Sequence, residues 1–146
     1  MALKTPIINI MTKAAYKAGN ILIKDFREIE NLQVSKKGIG DFVTSADLNS
    51  EKTIIKILQK AYPEIKIISE ETNSEINLNK NEKKWIIDPL DGTLNFLHGL
   101  PHFAISIALM MDEEIISGII FDPIKDELFW AEKGVGAFLN LSLIHI

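Results

Sequence analysis

Apolar residues recur at helical spacing along the first quarter of the chain. Between Leu3 and Glu28 the positions on one side of a 3.6-residue repeat are Ile7, Ile10, Met11, Ala14, Ala15, Ala18, Ile21, Leu22 and Phe26. This pattern predicts one long amphipathic helix. Pro6 fits the first turn, because a proline there removes no intrahelical hydrogen bond.

A second helical pattern follows a glycine-rich connection. The stretch Leu32–Asp41 is expected to be extended, with a turn at its two glycines. The helix is predicted to start after an N-cap at Thr44 or Ser45 and to run to about Ala61. Pro63 then closes it. The side chains expected to point inward are Leu48, Ile54, Ile55 and Leu58.

Short apolar runs separated by turn residues replace the helical pattern after Pro63. A short strand is expected at Ile65–Ile68, an exposed polar loop at Thr72–Lys84, and a buried strand at Trp85–Ile87. Four further strands are predicted at Phe103–Met111, Glu114–Phe121, Glu127–Glu132 and Gly136–Leu139. Helices followed by a meander indicate an α+β fold in which two long helices pack on an antiparallel sheet.

Composition narrows the class of protein. The 146 residues are 47% hydrophobic and 25% charged, which is typical of a globular domain with a real core. The absence of cysteine excludes a disulfide framework and a thiolate metal site, and it fits a cytoplasmic location. A net charge of -4 argues against direct nucleic-acid binding. The longest apolar run, Phe103–Met111, is too short to span a bilayer, so no membrane association is expected.

The segment that follows the Trp85–Ile87 strand carries candidate metal chemistry. Asp88 ends the apolar run, and Asp91 follows three residues later across a turn. Two carboxylates and the carbonyl of Leu90 are hard oxygen ligands of the kind that Mg²⁺ or Mn²⁺ prefers. Gly92 and Thr93 are positioned to open a short helix, whose first N–H groups would suit a phosphate.

The same residues also allow a purely structural interpretation. Asp-Pro and Asp-Gly are ordinary turn formers, so an isolated pair such as Asp88 and Asp91 commonly shapes a turn. A second acidic pair, Glu70 and Glu71, also follows an apolar strand. Strand ends tend to meet at one rim of a sheet, and converging acids without basic partners favour a bound cation. Residue types alone leave the turn and the metal site as alternatives.

Five ordered motifs resemble those of the inositol monophosphatase family. They are Asp41–Asp47 with Glu51, Ser69–Glu71, Trp85–Phe96, Gly99–Ala108 and Gly134–Asn140. The resemblance covers about residues 7 to 140. It implies the N-terminal portion of the layered α-β-α-β-α fold shared with fructose bisphosphatase-like enzymes. Residues 1–140 are therefore expected to form an N-terminal α+β domain.

The resemblance also implies roles for individual residues. Glu70, Asp88, the Leu90 carbonyl and Asp91 would hold Mg²⁺, with two or three ions in the complete site. Thr93, hydrogen-bonded to Asp47, would orient the attacking water together with Glu70. The phosphate would bind to the N–H groups of Gly92 and Thr93.

The activity implied is Mg²⁺-dependent hydrolysis of a phosphate monoester, first of all inositol 1-phosphate, by metal-activated water. Lithium sensitivity, a bacterial origin and a homodimeric full-length protein belong to the same expectation. Alternative substrates are a 3′-phosphoadenosine nucleotide, fructose bisphosphate and histidinol phosphate. The alternative from another class is a non-catalytic binding or regulatory module.

The chain departs from the family pattern in two places. Ser69 stands where a glycine is usual, and the C-terminal half with its further metal-ligand aspartate is not part of this sequence. Residues 141–146 are expected to be a non-native or truncated tail. The chain by itself is therefore expected to be weakly active or inactive.

Overall fold

Two long helices and a seven-stranded sheet form the structure, a computed structural model that describes residues 3–35, 38–70 and 82–144. Glu71 and nearly all of the predicted polar loop lie outside the described residues. The helices are α1 (Pro6–Ser35), α2 (Ile39–Ala61) and the short α3 (Thr93–Leu97). The strands are β1 (Lys66–Ser69), β2 (Lys83–Asp91), β3 (Ala104–Met111), β4 (Glu114–Asp122), β5 (Glu127–Glu132), β6 (Gly136–Leu139) and β7 (Ser142–Leu143).

Both long helices extend beyond their predicted bounds towards the connection between them. The expected N-cap at Thr44 or Ser45 is wrong, because α2 begins at Ile39 after Gly38, which has φ 80. The Thr44 hydroxyl donates instead to the Gly40 carbonyl, at 3.0 Å, within the helix. Val43 is buried against the core, so apolar packing carries the helix further back than its polar residues suggested.

The inward positions of α2 agree only in part with the prediction. Ile54 and Leu58 are fully buried, as predicted. Leu48 is 40% exposed, so its predicted inward orientation is wrong. The buried stripe passes through Ala46 and Asp47 instead, one turn before Ser50.

The sheet is mixed, and its strands are ordered β1 to β7 as they follow in the chain. Strands β2 to β6 are antiparallel, as predicted, and β7, which was not predicted, pairs antiparallel with β6. Strand β1 lies parallel to β2. Hydrophobic periodicity reports which residues face the core but not the direction of a strand, so the parallel pair was not predicted. In β7, Leu143 lies opposite Phe138, and the predicted nature of residues 141–146 stays a prediction.

The two faces of the sheet have different surroundings. The covered face is the one on which α1 and α2 pack, and it contains Trp85, Ile87, Ile107, Ile119 and Trp130, all buried. Both tryptophans thus lie in the core.

Alternate residues on the same strands form the open face, defined by Ile86, Asp88, Ala108, Ile120 and Phe129. A shallow concavity of about 770 Å³ runs along this face. No helix in the described part of the chain is long and apolar enough to cross a membrane.

Candidate active site

Glu70 and Asp88 lie beside each other at the end of two neighbouring strands. Ser69 is paired with Ile87 in the parallel β1–β2 ladder, so the next position on each strand is an acid. The backbone N–H of Glu70 donates to the Ile87 carbonyl at 3.3 Å and extends the ladder by one bond. Because Ser69 and Ile87 face the helices, the acids that follow them face the open side.

An irregularity in β2 brings a third acid to the same place. Asp88 lies opposite Ser106, whereas Asp91 lies opposite Ala104, so β2 has one residue more than β3 between these pairs. Such a bulge redirects the side chains that follow it. Leu90 is held in the core, 1% exposed, and its N–H donates to Asp88 Oδ1 at 3.3 Å.

Burial and two neighbouring acids make the ionisation of Asp88 costly. The pKa of Asp88 is raised to about 6, first by burial and then by the negative charges of Glu70 and Asp91. The N–H of Leu90 opposes this effect, whereas the hydrogen bond between the Asp88 and Glu70 side chains adds to it. A carboxylate that is costly to ionise next to two other acids would be stabilised by a cation.

The donor set fits a hard divalent cation that keeps part of its water shell. Among the residues that the structure describes, no three His, Cys, Asp or Glu side chains are arranged as a ready metal cage. Mg²⁺ commonly binds through one or two carboxylates and completes its octahedron with water and substrate phosphate. The adjacent Glu70 and Asp88, with the nearby Leu90 carbonyl, meet that requirement, and Asp91 remains exposed beside them.

The turn into α3 requires a glycine. Gly92 has φ 91 and forms the N-cap of α3, as the sequence predicted for the start of a short helix. A Cβ at this position would lie 3.0 Å from the His102 carbonyl oxygen, so backbone conformation and space both exclude a side chain. The Asn95 amide donates to the same carbonyl at 2.8 Å and holds the return of the chain against α3.

Thr93 occupies the expected place but makes a different contact in this structure. Its hydroxyl donates to the Leu90 carbonyl oxygen at 3.1 Å. A hydroxyl has one proton, so the hydrogen bond predicted between Thr93 and Asp47 would need that proton to turn away from Leu90. The bond to Asp47, which is buried on α2, stays a prediction.

Similarity to known proteins identifies the family of this chain. The sequence profile described as the inositol monophosphatase family matches residues 3–146. The chain belongs to the inositol monophosphatase family.

The relatives of this family member carry two kinds of name, one for an enzyme and one for a Nus factor. An inositol-1-monophosphatase of Rhizobium meliloti is 49% identical over 137 residues, which are 94% of this chain and 51% of the relative. A protein of Haemophilus influenzae named Nus factor SuhB is 46% identical over 92% of this chain and 50% of its own length. A crystal structure of the extragenic suppressor protein SuhB from Bartonella henselae has a TM-score of 0.83 at 42% identity, covering 97% of this chain and 54% of that one. The chain therefore spans about half the length of the relatives it matches.

Sequence reasoning placed Glu51 and Ser69 in family motifs, but it missed Ser50 and the contacts that fasten this family member's acidic site to α2. The Ser50 hydroxyl donates to the Pro89 carbonyl at 2.7 Å, and the Ser69 hydroxyl donates to Glu51 Oε2 at 3.0 Å, both in buried surroundings. A signal was present in the pattern, because Asp47, Ser50 and Glu51 recur in phase with the buried apolar residues of α2. Polar residues on the inward stripe of a helix need partners inside the protein.

Proposed function

We propose that this chain carries the acidic half of the catalytic site of a Mg²⁺-dependent phosphomonoesterase whose first substrate is inositol 1-phosphate. The observation that carries the proposal is the adjacent placement of Glu70 and Asp88 next to the bulge that presents Asp91. The family supports the reaction class, since its description names a monophosphatase.

Each residue of the site has a defined task in this proposal. Glu70, Asp88, the Leu90 carbonyl and Asp91 would hold Mg²⁺, which lowers the pKa of bound water and neutralises phosphate charge when present. The N–H groups of Gly92 and Thr93 begin α3 and would donate to phosphate oxygens, because the first N–H groups of a helix lack partners within it.

Thr93, Asp47 and Glu70 would position the attacking water. The Thr93 hydroxyl donates to the Leu90 carbonyl and would turn away from it to orient a water. Glu70 is exposed beside Asp88, where it would accept a proton. The hydrogen bonds from Ser50 to the Pro89 carbonyl and from Ser69 to Glu51 tie the two strands to α2 and so hold the site residues in place.

The decisive experiment measures phosphate release from inositol 1-phosphate with and without Mg²⁺. Two proteins are compared: the 146-residue chain and a version extended by the second half of the Rhizobium meliloti relative. We expect Mg²⁺-dependent turnover from the extended protein and little or none from the short chain. In the extended protein, Asp91→Asn and Thr93→Ala should each lower kcat by about 100-fold or more.

The matched control is Glu64→Gln, which removes an exposed carboxylate in the turn before β1. It should leave turnover unchanged. Turnover that survives Asp91→Asn, or an extended protein without Mg²⁺-dependent activity on any of the phosphate esters tested, would refute the proposal. The same assay with LiCl tests the proposed lithium sensitivity.

Substrate choice is tested on the same extended protein. Inositol 1-phosphate is compared with a 3′-phosphoadenosine nucleotide, fructose 1,6-bisphosphate and histidinol phosphate, and the largest kcat/KM names the substrate. Sedimentation of the same sample tests the proposed homodimer of the complete protein, and fractionation of cells that express it tests the proposed cytoplasmic location.

The name of the Haemophilus influenzae relative favours one second candidate, a binding or regulatory module. Such a protein would keep its function when the acids are neutralised. A strain whose only copy carries Asp88→Asn and Asp91→Asn therefore separates the two functions. If every phenotype is lost together with the phosphatase activity, the result supports catalysis alone. A phenotype that is retained without the activity supports the module.

A further inference from the structure

A groove lined by lysines runs between α1 and α2 on the side away from the acidic site. It encloses about 850 Å³. Lys13 and Lys17 lie on its α1 side, and Lys56 and Lys60 on its α2 side, all four exposed. Each pair is separated by four residues, so each helix presents two cations about 6 Å apart along its axis.

The floor of this groove is apolar. Ile10 and Ile21 of α1 and Ile57 of α2 are half-buried there and remain reachable from solvent. Lysine stems pack readily along such apolar surface while their ammonium groups stay in water. The groove therefore combines an apolar strip with a row of cations along each edge.

Positive charge is concentrated here in an acidic protein. The chain has a net charge of -4, yet the residues that line the groove include no Asp or Glu. The ion pairs within the described ranges join Lys66 to Glu82, Lys125 to Asp122 and Lys133 to Glu114. The groove lysines take part in none of them, so their mutual repulsion favours a negatively charged partner.

We propose that this groove docks an acidic amphipathic helix of a partner protein. The apolar face of such a helix would lie on Ile10, Ile21 and Ile57, and glutamates one turn apart along its two edges would meet the lysine rows. RNA fits less well, since the lining offers neither an aromatic ring for base stacking nor an arginine fork for phosphates. The proposal is independent of the phosphatase activity.

A synthetic helix tests the proposal directly. The probe is a fluorescent peptide of about 18 residues with leucines along one face and glutamates along both edges. Anisotropy measured against the 146-residue chain at about 0.15 M salt is expected to show binding in the micromolar range. The double variant Lys17→Glu/Lys56→Glu should raise Kd at least about tenfold.

The control variant reverses the same number of charges outside the groove. Lys83→Glu/Lys125→Glu reverses two exposed lysines outside the groove, on β2 and on the turn that follows β4, and should change Kd less than about twofold. Circular dichroism monitors folding, and Lys17→Gln/Lys56→Gln replaces the reversed pair if that pair does not fold. A peptide of the same composition with scrambled order should bind at least about tenfold more weakly, because it lacks the apolar face.

Three results would overturn the docking site. They are absence of peptide binding, equal weakening by the groove and control variants, and equal affinity for the scrambled peptide. The last two would indicate general charge attraction. An RNA oligonucleotide of equal charge that binds more tightly than the peptide, and loses binding with the same groove variant, would assign the groove to nucleic acid instead.

Discussion

The covered and open faces of the sheet are built from alternate residues of the same strands, yet their exposures differ. On the covered face Trp85 is 0% and Ile107 is 1% exposed. On the open face Ile120 is 51% and Phe129 is 36% exposed. Both faces are apolar, so the helices that pack on one of them, and not the character of the strands, account for the contrast.

The covered face contributes mainly to the stability of the fold, whereas the open face carries the acids of the candidate active site. Burial of apolar surface against α1 and α2 supplies the main favourable term for folding on the covered side. The open side carries Glu70 and Asp88 at the end of its apolar concavity, where ionisation of Asp88 is costly. Any protein segment that covered this apolar face would therefore lie against the acids as well.

Truncation of one isoleucine on each face gives the largest expected contrast. Ile107→Ala should destabilise the chain by about 2–5 kcal/mol, because it leaves a cavity under the helices. Ile120→Ala should cost below about 1 kcal/mol, since half of its side chain is already in water. Urea unfolding measures both, and similar losses would show that the open face is not exposed in solution.

Glycines on the two sides should respond to alanine with opposite signs. A Cβ on Gly19 of α1 would lie 2.7 Å from Phe121 Cε1, so Gly19→Ala should destabilise by about 1–3 kcal/mol despite the better helix propensity of alanine.

The counterpart, Gly118→Ala, places its Cβ no nearer than 4.0 Å to the Ile107 carbonyl oxygen. It should stabilise by about 0.5 kcal/mol through a less flexible unfolded chain. Thermal unfolding of the two variants checks the signs, and stabilisation by Gly19→Ala would contradict tight packing of α1 on β4.

The hydrogen bond from Ser50 to Pro89 joins the covered side to the acids. Ser50→Ala should cost about 1–2 kcal/mol, because the buried carbonyl loses its donor. Thr53→Ala is the matched control, since the Thr53 hydroxyl donates to the Asn49 carbonyl at the surface of the same helix. An equal loss of stability in Thr53→Ala would show that the buried hydrogen bond contributes no more than the exposed one.

Neutralising the acid on the open face should stabilise the chain, whereas Ile107→Ala, Gly19→Ala and Ser50→Ala destabilise it. Asp88 has a pKa of about 6 in the folded chain against about 4 when unfolded, so its protonation favours folding. That contribution is complete below about pH 4 and is lost as the pH rises through 6.

Asp88→Asn should therefore stabilise the metal-free chain at pH 7 by about 1 kcal/mol, less than the full shift implies because the carboxylate is partly hydrated. Stability measured from pH 4 to 8, beside Glu64→Gln, tests this. A variant that is less stable than the original chain at pH 7 would contradict the electrostatic cost of Asp88.

Agreement between sequence and structure differs from one element to the next. The strand bounds Glu127–Glu132 and Gly136–Leu139 were predicted to the residue, because short amphipathic runs end at turn residues. The N-cap of α2 is Gly38, six residues before the nearer predicted cap, since the polar candidates Thr44 and Ser45 compete poorly with the packing of Val43 and Ala46. Local polar signals are weaker than burial.

The sequence selected the acids of the site and predicted that they meet at one rim of the sheet, but it did not predict the register and the bulge that bring them together. Glu70 and Asp88 each end an apolar strand, which the chain itself reveals. That they lie side by side depends on the parallel register of β1 and β2, and the approach of Asp91 depends on the bulge. Ser50 and Glu51 became meaningful only when α2 was placed over β2.

The amino-acid sequence thus determined most of the elements, the apolar strands and the chemical character of the site, because periodicity and residue type act locally along the chain. Only the tertiary structure decided which apolar face the helices cover, which acids share a site and where the lysines of α1 and α2 meet. These depend on strand register and helix placement, which bring together residues far apart in the chain and leave no local periodic signal.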